Sequence, residues 1–304
     1  MITVLSGGVG AARLLRAMSV VTDPVNLVAV VNVGDDLVLH GLTICPDLDT
    51  ITYTLAGLNN DEAGWGLRGE TWRVMDELEM LGGESWFRLG DRDLATHLYR
   101  SQRLSEGATK TEVAGELASG LGVRVKLLPV TNDSIATEFV TDLGRLTFQE
   151  YFVRHRHDVA VKSVEVAGAA RAHATAEVLH ALRDSTRVVI APSNPVISID
   201  PILQVPGVLE ALRERRDDIV AVSPLIRGAA LKGPADRLLR ELGYEPTALG
   251  VVDFYGELVG TWIIDVADAA LAEPIGERGH RVVVTTTIMA EPDDARRLAE
   301  AVLS

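Results

Sequence analysis

The sequence has one cysteine, Cys45, in 304 residues. That excludes an intrachain disulfide and a cysteine-rich zinc site. Aromatic residues make up 5% of the chain, too few for the base-stacking platform of a single-strand binder. Basic charge is also short. Against 43 Asp and Glu stand 29 Lys and Arg, a net charge of −14. A non-specific nucleic-acid binder carries a basic surface, so no nucleic-acid partner is expected. No apolar run is long enough for a membrane helix, and no charged region precedes the first apolar strand. Neither an anchor nor a signal peptide is expected, and the default is a cytoplasmic protein. Internal repeats, linkers and low-complexity tracts are missing as well. What is plentiful is apolar content, 47%, enough for a substantial core. We read residues 1–304 as a single domain, and the apolar composition also suggests a homodimer.

The most informative stretch is residues 31–50, VNVGDDLVLHGLTICPDLDT. It follows an apolar run, Val25–Val31, that reads as a buried strand. Asp35, Asp36, Asp47 and Asp49 crowd its exit. Carboxylates this dense repel one another unless a cation, hydrogen-bond donors or solvent compensates. In open α/β sheets ligands sit at the carboxyl ends of strands. One reading is therefore a Mg²⁺ and phosphate site, since Mg²⁺ takes one or two carboxylates plus substrate phosphates. The other is a solvated acidic loop in which Asp47 or Asp49 caps a helix.

The chain opens on a short strand, Ile2–Leu5, followed by SGGVGAARLLRAM. Strand, Gly-rich turn and helix is a phosphate-cradling order. The turn is not a dinucleotide fingerprint, because Arg13 stands where the third glycine belongs, and no Gly-Lys-Ser/Thr makes it a Walker loop. Beyond the acidic stretch, TITYTLAGL reads as a helix with Asp49 or Thr50 at its cap. Helices are expected over 70–81, after an Asp91 N-cap, and over 109–121. Asp93 and His97 share a helix face. Residues 50–122 thus form a helical insert that builds one wall of a cleft. Residues 123–129, 136–141 and 145–148 read as β, and FQEYFVRHRHD as a half-exposed basic segment. Further strands are expected over 161–166, 186–191, 219–222, 248–254, 261–265 and 281–286, with helices over 175–183, 234–242 and 292–303. Three prolines in PSNPVISIDPIL stop both helix and strand. Ser193 and Asn194 are held there as ligand-binding polar groups, and Lys232 before a helix suggests anion binding. The pattern is α/β, a Rossmann-like, doubly wound and mostly parallel sheet with a helical insert.

GGVGAARLL, VNVGDD, HGLTICPDLDT, GWGLRGETW, LGDRDLATHL, FQEYFVR, PSNPVISIDPIL and SPLIRGAALKGPADRLL together resemble the 2-phospho-L-lactate transferase family of coenzyme F-420 biosynthesis. The likeness runs in order from residue 2 to about residue 265. It departs at Val33, where threonine is usual, at Ala229, where a second glycine is usual, and most after Asp265. The resemblance implies transfer of a phospholactyl or phosphoenolpyruvyl group from a guanosine diphosphate conjugate to the deazaflavin alcohol Fo. GMP is released and F-420-0 or its dehydro form results, with Mg²⁺ required. It also implies that Asp49 and Arg88 contact the deazaflavin. Gly7, Gly8, Gly10, Asn32, Asp35 and Asp36 would hold the diphosphate and Mg²⁺. Ser193, Asn194, Arg227 and Lys232 would hold the guanosine conjugate. Asp36 and Asp49 are the expected catalytic and metal-ligating pair, with Asp49 positioning the ribityl hydroxyl. Two rivals are an NAD-dependent dehydrogenase, disfavoured by the broken fingerprint, and a nucleotide-binding regulatory protein of the same fold. A regulator would have little reason to keep Asp49, Arg88 and the Gly-Trp-Gly turn together.

Overall fold

The structure is a computed structural model that describes residues 1–62 and 64–304. Seven strands form the central sheet. They are β1 (Ile2–Ser6), β2 (Leu27–Val31), β3 (Lys126–Pro129), β4 (Arg187–Ile190), β5 (Ile219–Val222), β6 (Thr261–Asp265) and β7 (Arg281–Thr285). Their spatial order is β7-β6-β5-β4-β1-β2-β3, and every pairing is parallel. Parallel strands are covered by helices on both faces, so they read as unbroken apolar runs. All five residues of β2 and all four of β5 are buried. The order reverses between β1 and β4, which makes their carboxyl ends the topological switch point where ligands bind.

Between β2 and β3 lie a small hairpin, Leu37–Leu39 with Leu42–Ile44, and four helices. These are α2 (Pro46–Leu55), α3 (Arg73–Met80), α4 (Asp93–Ser105) and α5 (Lys110–Gly120); α1 (Gly8–Val21) follows β1. A second apolar cluster of Leu39, Ile44, Met75 and Leu89 sits under this insert, apart from the main core. An antiparallel three-stranded sheet, with Ala136–Thr141 in its middle, follows β3. Among the described residues, no helix is long and apolar enough to cross a membrane.

Four expectations need correction. Residues 248–254 are helical (Ala248–Tyr255), not a strand. Thr247 caps that helix by accepting from Gly250 N, and buried Ala248, Val251 and Val252 recur at helical spacing. The PSNPVISIDPIL segment is helical over Pro195–Ile199 and Asp200–Leu203, because Pro195 and Pro201 fall in first turns, where no N–H is needed. Helix α2 starts at Pro46, earlier than expected, so Asp47 and Asp49 lie inside its first turn and neither is an N-cap. Asp91 does not cap α4. Its carboxylate accepts from Arg73 N and Val74 N and so caps α3, eighteen and seventeen residues earlier.

Candidate active site

Helix α1 begins at Gly8, whose φ of +69° a side chain would strain. Gly10 is required for a different reason. A Cβ there would lie 2.2 Å from the Pro192 carbonyl oxygen, so glycine lets α1 pack onto the turn after β4. Ser193 Oγ ties the same turn to β1 by donating to Gly7 O at 2.7 Å. The first N–H of α1 is already satisfied: Gly8 N donates to Asp47 Oδ1 at 2.7 Å.

Asn32, at the end of β2, is fully employed. Its Nδ2 donates to Asp47 Oδ2 at 2.9 Å and to Ile197 O at 3.2 Å, and its Oδ1 accepts from Gly34 N at 2.8 Å. Asp35 is buried beside this knot, and its Oδ1 has no hydrogen-bond partner among the described residues. Burial pushes the Asp35 carboxyl well above the usual carboxylate range, and the neighbouring charges of Asp47 and Asp36 push it further. Asp47 is pushed up to about 6 by burial, against the opposing hydrogen bonds from Asn32 and Gly8. Asp36, close enough to act on both, has its own counter-charge: Lys110 of α5 donates to its Oδ2 at 2.9 Å. Burial raises Asp36 and Lys110 pulls it back.

Two residues along α2 the environment changes. Asp49 Oδ1 accepts a short hydrogen bond from Arg100 of α4. His97 lies between them and Asp93, with Nδ1 3.7 Å from Asp49 Oδ2 and Nε2 3.2 Å from Asp93 Oδ2. Tyr53 OH donates to the other Asp93 oxygen. Burial raises Asp49, and Arg100 and then His97 counter it. Asp49, Asp93 and His97 each offer one atom within 4.8 Å of the others, a spacing that suits a metal ion, yet the Arg100 guanidinium already lies on Asp49.

Two cavities open beside these groups. One, of about 370 Å³, is lined by Asp49 and Arg88 together with Trp65, Trp86, Phe148 and Phe152. Phe148 and Phe152 stack with centroids 5.4 Å apart. Arg88 pairs with Asp76 and stacks over Trp72 at 5.7 Å. The other cavity, of about 300 Å³, lies at the carboxyl ends of β1, β4 and β5. Gly10, Arg13, Asn194 and Lys232 line it, and residues 287–290 close it. The loop holding Gly64 and Trp65 borders both. Trp65 lines the first cavity, and a Cβ on Gly64 would lie 2.6 Å from Lys232 Nζ of the second.

The structure thus brings Asp49 and Arg88 together in one cavity, and Gly10, Asn194 and Lys232 in the other. Asn32, Asp35, Gly7 and Gly8 form the buried seam between β1, β2 and α2, and Ser193 braces it. Arg227 stands apart. It occupies the tip of a hairpin, Leu225–Ile226 with Ala229–Ala230, at φ +51°. Its side chain is exposed, and its backbone N–H donates to both Asp268 oxygens at 3.0 Å. Sequence reasoning did not single out Arg100, Lys110, Phe148, Phe152 or residues 287–290. Arg100 had a readable signal, since Asp93, His97 and Arg100 follow helical spacing on one face of α4.

The family described as 2-phospho-L-lactate transferase CofD matches residues 2–297. The chain is 38% identical over 308 residues to a protein named phosphoenolpyruvate transferase from Streptomyces griseus, covering 99% of this chain and 97% of that one. It is 41% identical to the protein of the same name from Mycolicibacterium smegmatis, over 99% of this chain and 97% of that one. The corresponding Mycobacterium tuberculosis protein is 43% identical over the same shares. Two crystal structures of a UPF0052-family protein from Bacillus halodurans superpose with TM-scores of 0.64 and 0.65, at 19% and 20% identity. They cover 100% of this chain and 98% and 99% of that one, a likeness of fold.

Proposed function

The chain belongs to the 2-phospho-L-lactate transferase CofD family, whose members here named are transferases, and from that membership we propose the reaction and the role of each residue. The protein is a transferase of coenzyme F-420 biosynthesis. The reaction we propose moves a phosphoenolpyruvyl group from a guanosine diphosphate conjugate to the deazaflavin alcohol Fo. Enolpyruvyl is preferred to lactyl because the relatives at 37–43% identity carry the name phosphoenolpyruvate transferase.

The observation that carries this reading is the pair of cavities joined by α2 and the start of α1. The aromatic cavity suits a flat tricycle in size and lining. Asp49 stands at its polar wall. Two residues earlier, Asp47 holds the N-terminus of α1, and two residues beyond that contact Gly10 lines the second cavity. A nucleotide in the second cavity and a deazaflavin in the first would therefore meet at the Asp47–Asp49 turn.

In the proposed transfer the acceptor hydroxyl oxygen bonds to the phosphorus that carries the enolpyruvyl group. The bond from that phosphorus to the bridging oxygen breaks, GMP leaves with the electron pair, and the hydroxyl gives up its proton. Asp49 Oδ2 accepts that proton or hydrogen-bonds the hydroxyl as it leaves. Lys232 and Arg13 neutralise charge on the departing phosphate. The donor set also fits a hard divalent cation. Asp35 is the best-placed carboxylate for it, because its Oδ1 is buried without a partner among the described residues, whereas Gly8 and Asn32 take both oxygens of Asp47 and Lys110 and Arg100 engage Asp36 and Asp49. Mg²⁺ held there would supply charge neutralisation at the diphosphate.

The test is a stepwise assay. Purified protein is titrated with Fo by deazaflavin absorbance, then Mg²⁺ and each guanosine conjugate are added. GMP and a phosphodiester of the deazaflavin are expected with the enolpyruvyl conjugate. Faster turnover with the lactyl conjugate would reverse the donor assignment, and absence of Fo binding would refute the acceptor assignment.

A further inference from the structure

Arg100 is buried, and its guanidinium is divided in an uneconomical way for a purely structural ion pair. A buried arginine and carboxylate usually pair fork to fork through two parallel hydrogen bonds. Here Nη2 alone reaches Asp49, at Oδ1. Nη1 turns away and donates to Thr43 O at 3.2 Å, and it lies 3.2 Å from His97 Nδ1. A guanidinium only donates, so His97 Nδ1 is the acceptor from Arg100, and Nε2 on the other side of the ring lies 3.2 Å from Asp93 Oδ2, close enough for an ion pair but without hydrogen-bond geometry. Asp93 is held in turn by Tyr53. The chain Tyr53–Asp93–His97–Arg100 therefore fixes the guanidinium from α2 and α4 together. Its end point is Asp49, whose Oδ2 is buried, has no hydrogen-bond partner among the described residues and belongs to a residue lining the aromatic cavity.

We propose that Arg100 is a positioning residue for the transfer: by engaging one oxygen of Asp49, it leaves the other, unpartnered among the described residues in the wall of the aromatic cavity, as the acceptor for the attacking hydroxyl. The inference rests on the reading of that cavity as the deazaflavin site. It adds that Asp49 works in a single orientation and that Arg100, which does not line the aromatic cavity, sets that orientation. It also assigns the Asp49, Asp93 and His97 cluster to hydrogen-bonded positioning and not to metal binding, since a cation there would face the Arg100 charge.

The experiment compares full-length wild type with Arg100→Ala, Arg100→Lys, Asp49→Asn and the double variant Asp49→Asn/Arg100→Ala. For each, kcat and both KM values are measured. Arg100→Ala is expected to lower kcat by ~100-fold, the scale of a misplaced reacting group, with the donor KM unchanged. Added guanidinium should restore part of kcat at concentrations that leave the melting temperature unchanged. Arg100→Lys keeps the charge without the fork and tests the geometry should the alanine variant not fold; an intermediate kcat is expected. The double variant should match Asp49→Asn alone, because Arg100 acts only through Asp49. Additive losses in the double variant, or wild-type kcat in both Arg100 variants beside an impaired Asp49→Asn, would overturn the inference. Full turnover by Asp49→Asn would instead overturn the underlying reading of the cavity. Loss of divalent-cation affinity in His97→Asn, read by calorimetry, would overturn the positioning assignment in favour of a metal site.

Discussion

Asn32 Nδ2 and Asp47 Oδ2 are joined by a 2.9 Å hydrogen bond that ties the end of β2 to the first turn of α2. The same carboxylate holds Gly8 N, so one aspartate fixes two helix starts against one strand end. Asn32→Ala removes a donor from a buried carboxylate and leaves Ile197 O without its partner. We expect a loss of about 1–3 kcal/mol in stability, measured by urea denaturation. Asn32→Asp should lose more, since it sets a third charge against Asp47 and Asp35. An alanine variant as stable as wild type would show that the knot is not holding the site.

Glycine at positions 8 and 10 serves different ends, and alanine should separate them. At Gly10 a Cβ would meet the Pro192 carbonyl at 2.2 Å, so helix and turn must move apart. We expect a cost of about 1–3 kcal/mol and a weakened donor KM, because Gly10 and Pro192 line the same cavity. At Gly8 the side chain meets nothing within 4 Å but the φ is +69°. There the cost is strain alone, about 1 kcal/mol, with kcat and KM little changed. Denaturation curves and initial rates for the two variants check both expectations.

Burial gives the metal-free protein a pH dependence opposite to that of a salt-bridged carboxylate. The Asp47 pKa is raised to about 6 in the folded protein, from about 3.9 unfolded. Between those values the folded state keeps a proton that the unfolded chain has released. The contribution is therefore full below the unfolded value and is lost as pH rises through the folded one. Asp35 is raised too and acts in the same direction. Between about pH 5 and pH 7, wild type should lose about 1 kcal/mol relative to Asp47→Asn, part of roughly 3 kcal/mol spread over the whole span from about pH 3 to pH 7. Parallel stability curves for the two proteins would refute it.

The sheet and much of the site can be read from the sequence, and the exceptions have physical causes. Strands β2, β5 and β6 announce themselves because burial on both faces makes them continuous apolar runs. Ala248–Tyr255 carries a similar run, and only the Thr247 cap and the tight Gly250 packing against Glu245 decide for helix. Asp49 and Arg88 stand in motifs and share a cavity. Arg100 acts on a carboxylate 51 residues away, a pairing that the local pattern does not encode. Residues 287–290 are Thr, Ile, Met and Ala, with no charge to draw notice, and become a cavity wall only because β7 ends beside β6.

The aromatic cavity should govern acceptor affinity and leave the chemical step alone. Phe152 stacks on Phe148 at its edge, and Trp65 is half exposed above the Gly-Trp-Gly turn. Phe152→Ala and Trp65→Ala should each weaken Fo binding by about tenfold, in line with the worth of one aromatic contact plus its buried area. The rate at saturating Fo should stay near wild type. Absorbance titration gives the affinity and steady-state assays give the rate. A loss confined to kcat would place these rings at the reacting centre.

Arg13 is the cation to test on the donor side. It projects from α1 into the second cavity, in the position where a dinucleotide-binding turn would have its third glycine. Its charge is felt by Asp61, but the guanidinium paired with that carboxylate is Arg16, one turn further on, at 3.4 Å. A guanidinium in the second turn of a helix, facing a cavity, can match a phosphate bidentately, and a charged hydrogen bond of that kind contributes about 1.5–3 kcal/mol. Arg13→Gln should therefore raise the KM for the guanosine conjugate by roughly 10- to 100-fold, leave the affinity for Fo unchanged and leave the melting temperature near wild type. Arg13→Lys should recover only part of the affinity: it restores the charge but not the fork. An unchanged donor KM in Arg13→Gln would move the phosphate out of reach of α1 and leave Lys232 as the cation that receives it.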